Sequence, residues 1–349
     1  MKHFEVQTPF IFLNDFLKDS QRANQRIWIQ TMNFDPGMHI EKIAYFLLKA
    51  AKNKIDVRIN VDWIAQVFYQ GRFDFIPILS PHRLRSVHDF NKKRQGMYQQ
   101  LINAGVQITT TNEPRFLKFL FPAFRRNHIK MFIIDQHLAW IGGINLMDYS
   151  FYNHDLMIKV AQPQIVKALA QQFIKVNKAR ATLDYRVNCD VVTDLLIDVG
   201  NIGRSLILDQ AHLLIIKARK EIIFVSQLVP DFSTLKAICE AAKNKNIKVH
   251  VITSNIEDEI LDAFPYKLLY RIFKSKTKNI PTITLHHLKN KVHIKALIVD
   301  SKKVMIGSHN LSNVGVWLGT EELMFLSDSK QLVSDLRNHI VEDLKIKLD

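Results

Sequence analysis

Two short segments of the chain hold the residues best suited to chemistry. HIKMFIID at 128–135 and HIKALIVD at 293–300 place a histidine, a lysine and an aspartate at matching offsets. On an extended strand the side chains alternate faces. His128 and Lys130 therefore project together, as do His293 and Lys295, while the isoleucine between them points into the core. Each pair sets an imidazole, able to attack or pass a proton near neutral pH, beside an ammonium that holds phosphate oxygens as a point charge. Chemistry at a phosphoryl group is the expectation. Asp135 and Asp300 fall on the opposite parity and are expected to brace the turn that follows.

A second strand and a glycine turn come next, LAWIGGINL at 138–146 and KVMIGSHNL at 303–311. Gly142, Gly143 and Gly307 make the turns, and Asn145 and Asn310 follow at equal spacing. An Asn amide and the N–H groups of such a turn would complete a phosphate cradle. One HxK pair at a strand start is ordinarily a surface feature. Packing explains repeated Gly and Asp, but it does not require His and Lys twice.

The elements that position these residues also recur. IWIQT (27–31), IEKIAYFLLKAAKNK (40–54) and IDVRINVDW (55–63) read as strand, amphipathic helix and strand. EIIFVSQ (221–227), STLKAICEAAKNKN (233–246) and IKVHVIT (247–253) repeat that order, down to the shared AAKNK. A period this long indicates two fused domains rather than a solenoid. Alternating strands and helices predict two similar α/β domains with mostly parallel central sheets. A helix over 166–183 closes the first, which places the domains at 1–184 and 185–349.

Forty-eight Lys and Arg against 33 Asp and Glu give a net charge of +15, which favours anionic partners: nucleic acid, acidic lipid or a phosphorylated substrate. Cys189 and Cys239 are the only cysteines, so neither a disulfide framework nor a structural zinc site is expected, and a reducing, cytoplasmic compartment fits. The start MKHFEVQTPF lacks the apolar run of a signal peptide, and no stretch approaches the roughly 18 apolar residues of a membrane span. Membrane contact is expected to be peripheral.

The paired motifs, HIKMFIID with GGIN and HIKALIVD with GSHN, resemble the two HxKxxxxD motifs of the phospholipase D superfamily. The approach AGVQITTT to FPAFRRNHIK and the GGINL turn look most like its bacterial cardiolipin synthase branch. The resemblance covers nearly the whole chain. It implies a bilobed fold with one site at a pseudo-twofold interface and a phosphohistidine intermediate formed without metal or other cofactor. His128 matches the nucleophile and His293 the general acid and base, although near symmetry leaves their order open. Lys130, Lys295, Asn145, Asn310 and Ser308 match the phosphate binders; Asp135, Asp300, Gly142, Gly143 and Gly307 are the motif's structural members. A carboxylate orienting each histidine falls by counted position on Asp155 and Glu321, with Glu322 as the neighbouring choice. The chain departs from the pattern at Gly143, where many members have Ser, and at Gly315 and Gly319, where Ser and Asn are usual.

Lipid and nucleic acid both offer phosphodiesters, so the surroundings must separate them. RFLKFLFPAFRR (115–126) mixes phenylalanines with basic residues, and PYKLLYRIFKSKTK (265–278) puts Leu268, Leu269, Ile272 and Phe273 at helical spacing before a lysine cluster. Both compositions suit an anionic membrane interface. They also suit single-stranded nucleic acid, through stacking. The expected activity is a membrane-associated phosphatidyltransferase acting on phosphatidylglycerol or a related phospholipid. The alternatives are phospholipase D hydrolysis, a metal-independent nuclease, or a protein that binds without catalysis. Of the remaining histidines, His286 and His287 should face opposite ways, and His309 is expected either to touch the site or to lie on the surface.

Overall fold

The computed structural model describes residues 4–66, 68–69, 72–73, 81–113, 125–178, 182–255 and 264–348. The first half runs β1 (Phe4–Gln7), α1 (Pro9–Ser20), β2 (Arg26–Thr31), α2 (Met38–Lys52), β3 (Asp56–Asp62), a short hairpin β4 (Phe68–Tyr69) and β5 (Arg72–Phe73), then α3 (Pro81–Asn103) and β6 (Gln107–Thr111). β7 (Met131–Ile134), β8 (Leu138–Gly142), a 3₁₀ turn (Asp148–Tyr152), β9 (Met157–Val160) and α4 (Pro163–Lys178) complete it. The second half opens with β10 (Tyr185–Asn188) and β11 (Thr193–Val199), followed by α5 (Leu206–Lys217), β12 (Glu221–Val225), α6 (Phe232–Lys245), β13 (Lys248–Ser254) and α7 (Phe264–Thr277). It ends with β14 (Ile283–Leu288), β15 (Ala296–Val299), β16 (Lys303–Gly307), α8 (Asn313–Trp317), β17 (Glu321–Ser327) and α9 (Lys330–Asn338).

The first sheet has the order β1-β9-β8-β7-β2-β3-β6, and the second β10-β11-β17-β16-β15-β12-β13-β14. Apart from the extra edge strand β10, one order maps onto the other strand for strand. The sheets are mixed, which corrects the expectation of mostly parallel sheets. β2, β3 and β6 run parallel, as do β12, β13 and β14, whereas every other neighbouring pair is antiparallel. The reason lies in the connections. Helices join the parallel strands, but β7 to β8 and β15 to β16 turn through a few residues, and so short a link can only join antiparallel strands.

β2 and β12 are buried beyond their first residue because both faces of each sheet are covered. On α2 the buried Ile40, Ile43, Ala44, Leu47 and Ala50 form one stripe against the sheet, and Leu235, Ile238, Ala241 and Ala242 do the same on α6. The repeated AAKNK is a helix end, closed through left-handed Lys54 (φ 64°) and Asn246 (φ 52°). Helices α1 and α2 cover the outer face of the first sheet, and α5 and α6 that of the second. A third core lies between the sheets, where Ile133, Ile141 and Ile158 share one cluster with Ile298, Ile306 and Phe325, flanked by α4 and α9. The halves are therefore packed into one body, and Gln331 Nε2 of α9 donates to the Phe4 carbonyl of β1 at 2.8 Å.

Of the basic and aromatic stretches, residues 114–124 lie outside the described residues. PYKLLYRIFKSKTK falls on α7, which buries Phe273 and leaves Leu268 and Ile272 exposed. Among the described residues no helix is long and apolar enough to cross a membrane, no group of three potential metal ligands occurs, and Cys189 and Cys239 are free thiols.

Asp135 and Asp300 brace the chain's entry into a neighbouring strand rather than the turn that follows them. The Asp135 carboxylate accepts the N–H groups of Asn24, Gln25 and Arg26, and that of Asp300 accepts those of Arg219, Lys220 and Glu221. Burial alone would raise each carboxyl; the converging N–H dipoles outweigh it and hold both below the ordinary range. Each aspartate also takes a positive φ, 51° and 55°. Asp300→Ala removes the acceptor of three amides, two of them at the surface where water can replace it, and sets alanine at φ 55°; the expected cost is about 1–2 kcal/mol. Urea unfolding measures this, and a loss below about 0.5 kcal/mol would contradict the bracing role.

Candidate active site

Each HxK segment sits just ahead of the hairpin strand that carries its aspartate, at the edge of the sheet where β2 or β12 ends. Gln30 is paired with Met131, and Val225 with Ala296. The last residue of the second parallel strand holds the segment in place. Asp62 Oδ2 accepts the Asn127 N–H at 2.6 Å, and Ser254 Oγ accepts that of Val292 at 2.8 Å. Neither residue stood out in the sequence, where only their shared place at the end of the second parallel strand could have marked them.

The segments then cross to the opposite half. His128 N–H donates to the Glu321 carbonyl at 2.9 Å, and Glu321 N–H to the Arg126 carbonyl at 2.7 Å; His293 N–H donates to the His154 carbonyl at 2.7 Å, and His154 N–H to the Lys291 carbonyl at 2.8 Å. Two parallel bridges between the halves result, Asn127 with Glu321 and His154 with Val292. Each histidine thereby meets a carboxylate from the other half. His293 Nδ1 lies 2.6 Å from Asp155 Oδ2, and His128 Nδ1 lies 2.9 Å from Glu322 Oε1.

The carboxylate beside His128 is thus Glu322, which corrects the placement of Glu321 there. Side chains on β17 alternate, so only one of two adjacent glutamates can face the imidazole. Glu321 instead accepts Asn127 Nδ2 at 2.8 Å. Ser308 Oγ donates to Glu322 Oε2 and accepts the Leu323 N–H at 3.0 Å, so this hydroxyl holds the carboxylate rather than standing free for phosphate.

Lys130 and Lys295 are almost wholly buried, and each Nζ donates to the carbonyl of its own histidine at 2.7 Å. Two N–H donors per ammonium remain. Asn145 and Asn310 follow the two glycine turns. Their Oδ1 atoms are buried without a hydrogen-bond partner among the described residues. These oxygens are acceptors, so it is the Nδ2 group of each amide that could donate to a phosphate oxygen.

The turn N–H groups are not a free cradle, contrary to expectation: those of Gly142 and Gly143 donate to the Lys130 and Leu156 carbonyls, and those of Gly307 and Ser308 to the Lys295 and Leu323 carbonyls. The glycines serve close approach instead. A Cβ on Gly143 would stand 2.2 Å from Asp155 Oδ1, one on Gly142 2.1 Å from the Leu156 carbonyl, and one on Gly307 2.2 Å from the Leu323 carbonyl. Gly319, at φ 67°, passes close to the Gly200 carbonyl, which explains its departure from Asn.

Loss of water governs the electrostatics. Burial pushes the Asp155 carboxyl up to about 7 and raises Glu322, while nearby lysines pull both back. Burial pushes both imidazoles well below their usual value, and the charges of Lys130 and Lys295 add to the fall. The same desolvation lowers Lys295 to about 8 and Lys130 well down. A neutral imidazole donating from Nδ1 to a carboxylate keeps its lone pair on Nε2. That tautomer suits attack on phosphorus, and the facing carboxylate stabilises the cation that forms afterwards.

His309 is buried, which removes the surface alternative; its Nδ1 accepts the Leu311 N–H at 2.7 Å. His286 bonds to His250 at 3.1 Å and His287 to Tyr270 at 3.1 Å, on opposite faces of β14.

A duplicated α/β body whose two histidine–carboxylate pairs form across the halves, over two buried lysines, defines a phospholipase D-like architecture. The chain belongs to the cardiolipin synthase, PLD-like domain family, whose model matches residues 16–176 and 213–344. It is 23% identical over 341 residues to cardiolipin synthase A of Buchnera aphidicola subsp. Baizongia pistaciae, covering 90% of this chain and 64% of that protein. With cardiolipin synthase A of Proteus mirabilis it shares 21% over 363 residues, covering 97% of this chain and 68% of that one. The chain thus spans about two thirds of the length of these curated relatives. Among solved structures, phosphatidylserine synthase of Haemophilus influenzae Rd KW20 superposes with a TM-score of 0.73 over 96% of this chain and 85% of that one, at 13% identity. Polyphosphate kinase of Porphyromonas gingivalis gives 0.61 over 98% of this chain and 50% of its own. At such identities the likeness is one of fold.

Two outcomes follow from the geometry. Glu322→Gln is expected to slow phosphodiester turnover about 10²–10⁴-fold, whereas Glu321→Gln stays within about tenfold; the reverse order would remove Glu322 from the site. kcat/KM should rise with pH through about 7, as Asp155 becomes the anion that holds His293, and fall through about 8, as Lys295 loses its charge. A profile that is flat across both values would contradict these assignments.

Proposed function

We propose that residues 1–184 and 185–349 are two copies of one domain that together form a phosphatidyltransferase of the cardiolipin synthase type. In this reading His128 attacks the phosphorus of a phospholipid such as phosphatidylglycerol. The bound phosphate anion offsets the lysine charges that disfavour a protonated imidazole, so His293 carries a proton at Nε2; the P–O bond to the headgroup alcohol breaks and that proton passes to the leaving oxygen. Lys130 and Lys295 hold the non-bridging oxygens, with Asn145 and Asn310 completing their shell. The hydroxyl of a second lipid then attacks the phosphohistidine, His293 takes its proton, and His128 is released. Asp155 and Glu322 fix the ring tautomers and offset the positive charge that develops.

The observation carrying this reading is the pair of cross-half contacts, His128 to Glu322 and His293 to Asp155, with both lysines buried between them. Structural packing alone gives no reason to bury two ammonium groups beside two imidazoles; an anion that arrives there offsets their mutual repulsion. The family supplies the substrate class, since the curated relatives bear the name cardiolipin synthase A. An anionic membrane surface is the proposed partner and peripheral attachment at the cytoplasmic side the proposed location, in keeping with the charge of +15.

The test incubates the protein with phosphatidylglycerol vesicles, and separately with labelled single-stranded DNA, in the presence of EDTA and with His128→Ala as control. Cardiolipin and glycerol are expected from the wild type alone. DNA cleavage with untouched lipid would replace the substrate class and leave the two-histidine chemistry standing. Strong EDTA inhibition reversed by added metal would overturn the metal-free steps.

A further inference from the structure

Each half holds three apolar side chains in water at topologically equivalent places. In the first half they are Phe10 at the start of α1, Met38 at the start of α2 and Tyr152 at the end of the 3₁₀ turn that follows the first glycine turn. In the second they are Ile202 between β11 and α5, Phe232 at the start of α6 and Trp317 at the end of α8, which follows the second glycine turn. All six are between 41% and 61% exposed. Scattered exposed apolar residues are ordinary; a set of three that recurs with the fold's internal repeat is not.

Each set is contiguous and fixed. The Phe10 and Tyr152 rings lie 5.5 Å apart, and Asp148 on the same 3₁₀ turn accepts the N–H groups of Met38 and His39 at 2.6 and 2.9 Å. The Phe232 and Trp317 rings lie 4.6 Å apart, and Asp231 accepts Ser312 Oγ at 2.6 Å and the Asn313 N–H at 2.9 Å. Ile202 adjoins Trp317 through the Gly203 N–H, which donates to the Val316 carbonyl at 3.1 Å.

Both sets stand at the sheet edge that bears the HxK residues. At that edge Gln7 pairs with Met157 and Gly142 with Met157 in one half, and Val199 pairs with Glu321 and Gly307 with Met324 in the other. Since the two sheets repeat one strand order and their HxK segments meet across the halves, each set stands at the sheet end from which its own half contributes to the site.

We propose that they are two feet by which the protein docks on an anionic lipid bilayer, with the site held between them. The charge pattern selects this occupant. One helical turn beyond Met38 stands exposed Lys42, and one turn beyond Phe232 stands Lys236, exposed and 3.9 Å from Glu240 on the same helix, so each helix start pairs an apolar side chain with a cation on one face. Exposed Arg204 lies two residues from Ile202. Aromatic and aliphatic groups that enter the acyl boundary, with cations at headgroup level, are what an anionic bilayer surface takes up. A planar surface also touches both feet at once while a headgroup enters between them. This docking rests on the lipid reading of the site, yet it is measurable without turnover.

The experiment compares wild type, Met38→Ser/Tyr152→Ser, Phe232→Ser/Trp317→Ser and the fourfold variant by co-sedimentation with phosphatidylglycerol–phosphatidylcholine vesicles. Hydrolysis of soluble bis(p-nitrophenyl) phosphate is followed in parallel. Each double variant is expected to partition several-fold more weakly and the fourfold variant at least tenfold, with soluble turnover unchanged within about twofold. Quenching of Trp317 fluorescence by brominated lipid, absent in Trp317→Phe, gives an independent reading on otherwise intact protein. Wild-type partitioning of the fourfold variant, or no quenching, would overturn the feet. Loss of self-association with vesicle binding intact would overturn them too, by making the patches a dimer contact. Absence of cardiolipin formation together with foot-dependent binding would instead sink the transferase reading alone.

Discussion

Everything in the site depends on one constraint: neither half holds a complete histidine–carboxylate pair. The strand that supplies Glu322 belongs to the second half and serves His128 of the first; the segment that supplies Asp155 belongs to the first and serves His293 of the second. The backbone bridges at Asn127–Glu321 and His154–Val292 set the register of both exchanges. Gly143 permits the contact, because any side chain there would strike Asp155 and the His293 carbonyl. The shared core between the sheets keeps this interface closed, so docking of the halves and assembly of the chemistry are the same event.

Closure excludes water, and that loss organises the charges. Two lysines, two imidazoles and two carboxylates are buried together, and each ionised form is disfavoured on its own. Carboxyls rise and ammonium groups fall toward the neutral range from opposite sides, while the imidazoles fall below it and stay neutral. A carboxyl and an ammonium that ordinarily differ widely in proton affinity, Asp155 and Lys295, are thereby brought close together, beside imidazoles whose lone pairs stay free. An incoming phosphodiester anion would find donors already oriented, since each lysine is tethered to the carbonyl of its own histidine.

Duplication extends beyond the site. Asp135 and Asp300 collect the same three amides in each half, Asp62 and Ser254 hold the same backbone N–H by different chemistry, and the apolar residues at the helix starts recur at equivalent places. Where the copies differ, the difference is local. Gly143 and Ile144 in one half stand where Ser308 and His309 stand in the other, and among the described residues only the second half braces its carboxylate with a hydroxyl.

His128, Lys130, His293 and Lys295 were legible in the sequence because strand periodicity puts residues two apart on one face, and because the motif occurs twice. The strand, helix, strand arms were legible for the same reason, in the periods of their apolar residues. The short links from β7 to β8 and from β15 to β16 require antiparallel hairpins, but the sequence could not show how β1, β9, β11 and β17 join the sheets, since hydrophobic runs carry no direction. It could not decide between Glu321 and Glu322 either: one residue of register turns a side chain to the opposite face, and that register is set by a backbone bridge between distant segments. Nor could it show the roles of Ser308, Asp62 or the turn N–H groups, which depend on which partner each meets. Local pattern by itself determined the chemical groups and the elements that carry them. Only the tertiary structure decided which carboxylate meets which histidine and how far burial moves their proton affinities, because pairing and loss of water both arise where the two halves close on each other.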